Sequence, residues 1–317
     1  MDIRIVLDKW IESLGRNKET RRAYKRAVEI FMTVNKMTAK FDTDDITHLH
    51  YEAFLKFLNK KHKNTSTQSI YSIGVLRFFN HLVYRDLSSV NIQKARTAKV
   101  EMLGRTSYKI KQYVSEDVDE VLEAADSIIE RSFDSPGAKL RAYRDRAFLL
   151  TLAGTGFRVH EACNLKRGDI DWNRSRAVII GKGDKQATVR FSTKSLTAIK
   201  DYLAVRAELD GASGKPLMSL PIFAQHAKSS SDRVEQITTK TGRDIINAWV
   251  LRVLGPDKKG TITPHTFRHY FVTEILNATG NIKTAKEMAR HSNISVTDRY
   301  AQLNDAQLDE EHHKIFG

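Results

Sequence analysis

The sequence predicts a mainly helical protein of two domains that also carries one small β-hairpin. The chain has 317 residues, which is long enough for two ordinary domains, and 41% of them are hydrophobic. Its first 100 residues hold hardly any glycine or proline, so helices can run there without interruption. Strand-like apolar patterns are clearest in one short region, where RAVIIG and ATVRFS flank the polar sequence KGDKQ.

The first domain, predicted at residues 1–100, is expected to be a bundle of helices. One helix starts near Thr20, because apolar residues then recur at helical spacing beside a row of basic residues. The apolar stripe consists of Tyr24, Val28 and Phe31. Two further helices are predicted at residues 46–61 and 67–84, joined by the basic sequence KKHKNTST. Such a bundle is either a solvated domain kept soluble by its lysines or a surface that binds phosphates.

A linker at residues 101–114 is predicted to separate the first domain from a second, at residues 115–317. The linker lies in the polar, weakly periodic sequence QKARTAKVEMLGRTSYKIKQYVS. Ser115 is the expected N-cap of the helix that opens the second domain, since acidic residues follow it. A later helix, in the sequence RDRAFLLTLAGTG, is expected to end at the signals Gly154 and Gly156.

The β-hairpin has its predicted turn at Gly183 and Asp184. Helices return after Ser192, broken by a stretch rich in glycine, serine and proline. In the sequence TPHTFRHYF, Thr263 is the expected N-cap and Pro264 the first helical residue. The second domain is therefore predicted to be helical with one inserted hairpin.

The charge of the chain indicates a nucleic-acid partner. The net charge is +14, and residues 1–105 hold 20 Lys and Arg against 11 Asp and Glu. A basic surface binds nucleic acid because each neutralised phosphate releases counterions. The candidate DNA-contacting residues of the first domain are Arg21, Arg22, Lys25, Lys60, Lys61, Lys63, Arg77, Lys94, Arg96 and Lys99.

Several classes of protein are excluded or disfavoured. There is no apolar run of the ~18 residues needed to span a membrane, and the N-terminus lacks the pattern of a signal peptide. The single cysteine, Cys163, rules out an intramolecular disulfide framework and predicts a reducing, cytoplasmic location. No P-loop frame is present, and the HxxxH spacing in HTFRH lacks the glutamate of a zinc protease. We expect neither a metal nor another cofactor.

Four short sequences carry groups suited to phosphodiester cleavage without a metal. Guanidinium groups match the non-bridging phosphate oxygens in a bidentate manner and stabilise their growing negative charge. A tyrosine hydroxyl has a pKa near 10, so it needs a base or electrostatic help to attack phosphorus. A lysine on a turn can protonate the leaving oxygen. The candidate catalytic residues are Arg158, Lys182, His265, Arg268, His291 and Tyr300.

These sequences resemble the tyrosine recombinase (phage integrase) family, with a layout near its Xer-type and simple integrase members. TGFRVHEACNL matches the family box T-G-[LM]-R-x-x-E-x-x-x-L, GKGDK the hairpin lysine box, and HTFRH the box H-x-[LF]-R-H. RHSNISVTDRYAQL matches the box G-H-S-x-[IP]-x-x-T-x-x-Y. The spacings also agree, with 23 residues from Arg268 to His291 and nine from His291 to Tyr300. The motifs span about residues 115–303.

The resemblance implies a SAM-like helical core-binding domain followed by a mixed α/β catalytic domain. It also implies that Arg158 and Arg268 bind the non-bridging oxygens of the scissile phosphate. His265 assists as acid or base, Lys182 protonates the 5′ oxygen, and His291 hydrogen-bonds the phosphate. Neither ATP nor a metal is required, because the phosphodiester energy is kept in a covalent intermediate.

The nucleophile implied by the resemblance is Tyr300, which forms a 3′-phosphotyrosine and releases a 5′-hydroxyl. The competing Tyr270 follows the HTFRH box directly and is expected to pack instead. Glu161 and His269 are expected to orient the arginines and the histidine. Arg290 stands where the family usually has glycine, adding a charge near the DNA.

The implied partner is a double-stranded DNA recombination site, bound by a dimer at each site and a tetramer in the synapse. The tail AQLNDAQLDEEHHKIFG is expected to dock on a neighbouring protomer, and an accessory protein is a further partner. We expect no separate arm-type DNA-binding domain before the first helices. The role of the enzyme, whether integration, excision, resolution or inversion, stays open. So do two alternatives, a type IB topoisomerase and a catalytically silent DNA-binding accessory protein.

Overall fold

The structure is a computed structural model in which the chain divides into two compact units, residues 1–109 and 110–317. Each unit has its own apolar core. The structure describes residues 2–15, 18–38, 40–104, 114–180, 186–226 and 234–290. Across these ranges the fold is mainly helical with one small sheet, which confirms the predicted fold class. None of the helices in these ranges is long and apolar enough to cross a membrane.

The first unit is a bundle of helices. They are α1 (Ile3–Ser13), α2 (Lys18–Val34), α3 (His48–Lys61), α4 (Thr65–Tyr84) and α5 (Ile92–Leu103). The three helices predicted near Thr20, at 46–61 and at 67–84 correspond to α2, α3 and α4. Their core contains edge-to-face ring pairs, with the Phe31 centroid 5.8 Å from that of Phe54 and 5.4 Å from that of Phe79. The apolar periodicity of the sequence therefore located this core correctly.

Helix α5 occupies the first half of the polar sequence in which the linker was placed, and it overlaps the predicted linker, residues 101–114, only at 101–103. The side chain of Asn91 accepts a hydrogen bond from the Lys94 amide at 2.9 Å and caps the start of the helix. Ala95 and Ala98 are its buried residues, and the helix packs on α3. Two small side chains leave only a weak apolar period in a basic sequence, so the pattern resembled a linker.

The second unit contains the remaining helices and the sheet. Its elements begin with α6 (Ser115–Asp126), α7 (Pro136–Thr155), α8 (Val159–Asn164), β1 (Ile170–Asp171), β2 (Arg176–Ile180) and β3 (Gln186–Arg190). They continue with α9 (Thr193–Val205), α10 (Ala207–Ala212), α11 (Thr239–Val253), α12 (Pro264–Thr279) and α13 (Ile282–Ala289). Helix α7 lies at the centre, in contact with α6, α8, α9, α11 and α12.

Two helix ends in this unit differ from the predictions. Ser115 is the first residue of α6 rather than its N-cap, which is Val114. Gly154 lies inside α7, where a Cβ atom would come within 2.6 Å of the Ser192 hydroxyl oxygen. This glycine therefore permits close packing, whereas Gly156, with φ of 60°, ends the helix as predicted.

The sheet is an antiparallel hairpin with one short additional strand. Strands β2 and β3 pair from Arg176 opposite Arg190 to Ile180 opposite Gln186, and β1 pairs with the other edge of β2. This register confirms the predicted hairpin. The predicted turn at Gly183 and Asp184 lies outside the described residues.

Candidate active site

The turn between α7 and α8 shapes the site from one side. Gly156 has a left-handed backbone, and a Cβ atom there would collide with the ring of Phe271 in α12. Only glycine meets both conditions without strain. The next residue, Phe157, is buried, and the chain then enters α8 at Arg158. The Gly156 turn therefore sets the position of Arg158 at the start of α8.

Arg158 is held by a buried carboxylate three residues further on. The Arg158 amide donates to one Glu161 carboxylate oxygen at 2.8 Å, and its guanidinium donates to the other at 2.9 Å. The Glu161 side chain is 2% exposed, whereas that of Arg158 is 34% exposed. Glu161 thus fixes one edge of the guanidinium, while the rest of the Arg158 side chain stays partly exposed.

The carboxyl group of Glu161 is ionised in this setting. Burial alone raises its pKa, but the charge of Arg290 and the hydrogen bonds and charge of Arg158 outweigh burial and lower that pKa below 4.5. The Arg290 guanidinium lies 3.1 Å from the Glu161 carboxylate. Two arginines therefore share one buried anion.

Arg268 reaches the same place from α12. Its guanidinium donates to the carbonyl oxygen of Gly156 at 2.5 Å and to that of Ala289, the last residue of α13. The side chain is buried, and its two carbonyl acceptors lie at the ends of two other helices. Three helices thus fix the orientation of one guanidinium.

His265 stands at the exposed N-terminal end of α12. Thr263 caps this end and exchanges backbone-to-hydroxyl hydrogen bonds with Thr266 at 3.0 and 3.3 Å, and Pro264 follows it, as predicted. Partial burial is the main cause that lowers the pKa of His265, and the charges of Arg268, Arg158 and Arg243 lower it further. The imidazole is therefore neutral near pH 7 and able to accept a proton.

A cleft of about 390 Å³ lies between the start of α8 and the start of α12. It brings together three of the predicted catalytic residues: Arg158, His265 and Arg268. Arg243 of α11 also lines the cleft, and no motif in the sequence pointed to it. An anion in this cleft meets three arginines, so the site suits a phosphodiester better than a neutral substrate.

The neighbours of the HTFRH box on α12 have supporting positions. His269 lines a second cleft beside Lys258 and Thr261. Burial, with the charges of His265 and Arg268, lowers the pKa of His269 to about 4. Tyr270 donates from its hydroxyl to the Asp119 carboxylate at 2.6 Å and packs against the core, in keeping with the packing role predicted for it.

Three predicted catalytic residues, Lys182, His291 and Tyr300, lie outside the described residues. Their placement stays a prediction. Within the ranges that the structure describes, no group of three or more His, Cys, Asp or Glu side chains is arranged to hold a metal ion.

The predicted DNA-contacting residues of the first unit differ in exposure. Exposed are Arg22, Lys60, Lys61, Lys63, Arg77, Lys94 and Arg96, and partly buried are Arg21, Lys25 and Lys99. Lys25 forms an ion pair with Asp8 at 2.7 Å, and burial lowers the pKa of Lys99. These two lysines are therefore the weakest candidates of the set.

Comparison with known proteins identifies the family of this chain. The model of the phage integrase family matches residues 114–307, more than half of the chain. The chain belongs to the phage integrase family. The resemblance predicted from the four sequence boxes is thereby confirmed.

The relatives of this member are tyrosine recombinases. The XerC recombinase of Myxococcus xanthus is 32% identical over 176 residues, which span 55% of this chain and 56% of that protein. The XerD recombinase of Corynebacterium glutamicum is 26% identical over 316 residues, or 98% of this chain and 97% of that protein. This phage integrase family member is a site-specific tyrosine recombinase, an enzyme that breaks and rejoins DNA.

Solved structures share the fold. XerH recombinase bound to a palindromic difH substrate aligns with a TM-score of 0.68 at 17% identity, covering 92% of this chain and 78% of XerH. A lambda integrase dimer bound to a COC′ core site aligns with a TM-score of 0.65 at 16% identity, covering 95% of each chain. At these identities the likeness supports the fold alone.

Proposed function

We propose that this recombinase cuts double-stranded DNA at a specific site through a 3′-phosphotyrosine formed on Tyr300, and that Arg158 and Arg268 hold the scissile phosphate. The observation that carries the proposal is the convergence of Arg158, His265 and Arg268 on one cleft. These side chains come from two helices far apart in sequence, so their meeting is a property of the fold.

The two arginines would bind the same phosphate in different ways. Arg268 is buried and fixed by two backbone carbonyls, which makes it a rigid donor among the residues that line the cleft. Arg158 is partly exposed and fixed on one edge by Glu161, so its other edge faces the ligand. Rigid donors stabilise the transition state because they need no reorganisation when charge develops on the phosphate oxygens.

In the cleavage step, the Tyr300 oxygen attacks phosphorus and the bond from phosphorus to the 5′ oxygen breaks. The neutral imidazole of His265 takes the phenol proton, and Lys182 gives a proton to the departing 5′ oxygen. His291 hydrogen-bonds a non-bridging oxygen. Attack by a 5′-hydroxyl on the phosphotyrosine reverses these transfers, so the cycle consumes no other reactant.

The remaining parts of the proposal concern the partner and the assembly. We assign residues 1–100 to DNA binding, on the basis of the exposed basic residues of the first unit. The protein acts as a dimer at each site and a tetramer in the synapse, joined through the segment after Tyr300. A cytoplasmic location is inferred from the single cysteine.

A trapping experiment tests this function. The protein is incubated with DNA duplexes that carry a randomised inner segment and one nick. The nick makes the fragment released by cleavage short enough to diffuse away, so the covalent adduct accumulates. Recovered DNA is sequenced to give the site, and peptide mass spectrometry locates the modified residue. We expect the adduct on Tyr300, none with Tyr300→Phe, and an unchanged yield with the control Tyr270→Phe.

Two results contradict the proposal. The first is an adduct on another residue, or none at all with the wild-type protein. The second is relaxation of a supercoiled plasmid that lacks the recovered site, without strand exchange between plasmids that carry it. That outcome favours a type IB topoisomerase.

A further inference from the structure

We propose that Arg290 is a positioning residue for cleavage: it neutralises the buried Glu161 so that the positive charge of Arg158 stays available to the scissile phosphate. This inference rests on the proposed function. Arg290 has no role in the four motif boxes, in which its position usually holds glycine.

Arg290 is tied to the two residues that shape the α7–α8 turn and its entry to the site. Its guanidinium lies 3.1 Å from the Glu161 carboxylate and donates to the Gly156 carbonyl oxygen at 3.3 Å. The guanidinium carbon lies 5.5 Å from the centre of the Phe157 ring. The side chain therefore packs beneath the turn from which Arg158 emerges.

The charges of the three groups explain what Arg290 adds. Arg158 and Glu161 alone form a pair with no net charge, so the carboxylate offsets the attraction of Arg158 for a phosphate. With Arg290 on the same carboxylate, the trio carries one net positive charge. Glu161 can then orient Arg158 through its two hydrogen bonds without cancelling its charge. Such effects are large where water is excluded, and the Glu161 side chain is only 2% exposed.

Arg290 occupies its place against local preferences, which favours a functional role over a stabilising one. Its backbone has φ of 58°, in the left-handed region that suits glycine better than arginine. Its Nε atom is buried and has no hydrogen-bond partner among the described residues. Strained backbone and buried polar atoms without partners are concentrated at functional sites.

Arg290 acts through Glu161 rather than as a ligand of the DNA. Its side chain is 10% exposed, against 34% for Arg158, and its terminal nitrogen is committed to Glu161 and Gly156. Removing its charge should therefore change the rate of the chemical step more than the affinity for DNA.

The test compares Arg290→Met with Arg290→Lys. Methionine keeps an aliphatic stem on Phe157 without charge, and lysine restores the charge. On the nicked duplex, single-turnover adduct formation at saturating protein should slow on the order of tenfold in Arg290→Met, with Kd for DNA within about threefold of wild type. Arg290→Lys should recover most of the rate. A role in packing alone is indicated if methionine retains the rate, and that result overturns the proposal.

A double-mutant cycle tests the route through Glu161. In a Glu161→Gln background there is no anion to neutralise, so Arg290→Met should slow cleavage less than about threefold further. If the rate loss of the double variant equals the product of the two single-variant losses, Arg290 acts independently of Glu161, and the inference is contradicted.

An Arg252→Met control and the wild-type protein distinguish failure of the Arg290 proposal from failure of the proposed function. Arg252 also lies over an aromatic ring, 5.1 Å from the centre of Trp249, but is exposed and away from the cleft, so Arg252→Met should keep the rate. Thermal melting of every variant checks folding. If wild-type protein forms no adduct, the proposed function fails; if it does and Arg290→Met matches it, only the role of Arg290 fails.

Discussion

Arg268 and Arg290 donate hydrogen bonds to one atom, the carbonyl oxygen of Gly156, at 2.5 and 3.3 Å. The first arginine comes from α12 and the second follows the last residue of α13, while Gly156 ends α7. One backbone oxygen therefore links Arg268 to Arg290, the residue that precedes His291 in the sequence. The geometry of this turn should be the most sensitive point of the site.

Replacing Gly156 with alanine should destabilise the protein strongly. The left-handed backbone and the collision of a Cβ atom with the Phe271 ring together predict a loss of about 2–5 kcal/mol in the free energy of unfolding. Urea denaturation followed by circular dichroism measures this loss. Covalent adduct formation should also fall, because the Gly156 carbonyl oxygen that accepts a hydrogen bond from Arg268 would be displaced.

Gly280 provides the matched control for this substitution. It also ends a helix in the left-handed region, with φ of 59°, but a Cβ atom there would meet no other described atom within 4 Å. Gly280→Ala should therefore lose only the backbone part, about 1–2 kcal/mol, and keep its cleavage activity. Equal losses for the two variants would show that the Phe271 contact contributes nothing.

Arg268→Lys should abolish most of the cleavage rate even though the charge is kept. A lysine has a single nitrogen and cannot donate to Gly156, Ala289 and a phosphate in one plane. We expect a loss on the order of 100-fold in the single-turnover rate, comparable to removing one donor from an oxyanion site. Arg252→Lys, on the exposed end of α11, is the control and should be unaffected.

Glu161→Gln should change how stability depends on pH. The folded-state pKa of Glu161 is lowered, so its ionisation stabilises the native protein above pH 4.5, and this contribution is lost as the pH falls through the folded pKa. At pH 6 the variant should be less stable by about 1–3 kcal/mol, and the difference should narrow towards pH 3. Urea denaturation at several pH values measures it.

The exposed Glu208 is the control for this experiment. Glu208→Gln should follow the wild-type profile at every pH. A Glu161→Gln difference that stays constant from pH 6 to pH 3 would indicate lost packing rather than lost charge.

The pH dependence of cleavage should report the His265 imidazole. Because partial burial and the charges of Arg268, Arg158 and Arg243 lower its pKa, the acidic limb of kcat/KM should lie below 6.5. Above that limb His265 is neutral and can accept the phenol proton. The pH profile of kcat/KM is obtained from single-turnover rates between pH 5 and 8, with protein in excess of DNA but below the Kd. An acidic limb above pH 6.5 contradicts the assignment.

Arg243→Met tests the electrostatic part of this shift. Removing one of the positive charges should move the acidic limb to higher pH, towards the ordinary value of a histidine. Arg252→Met lies on the same helix but outside the cleft and should leave the limb in place. A limb that does not move with Arg243→Met assigns the shift to burial.

Much of the site was predictable because its chemistry is carried by local motifs. The Thr263 cap and Pro264 fixed the start of α12, and the spacing from His265 to Arg268 put both on one face. The helix-ending Gly156 was also visible as a local signal. These features depend on neighbours within a few residues, so the sequence alone exposes them.

Contacts between distant segments were not predictable in the same way. Arg243 reaches the cleft only because α11 packs against α8, and nothing around it in the sequence marks a site. Arg290 was noticed as a departure from glycine, but its pairing with Glu161 depends on the return of α13 to the α7–α8 turn. Helix α5 was missed because Ala95 and Ala98 give too weak an apolar period.

The two carbonyls that hold Arg268 lie at the C-terminal ends of α7 and α13, where helix dipoles present partial negative charge. Because these contacts are buried, dissolved ions screen them much less than they screen contacts at the protein surface. Ionic strength should therefore act on two properties differently. Added salt weakens the capture of DNA steeply, whereas the cleavage rate of DNA already bound should stay nearly constant.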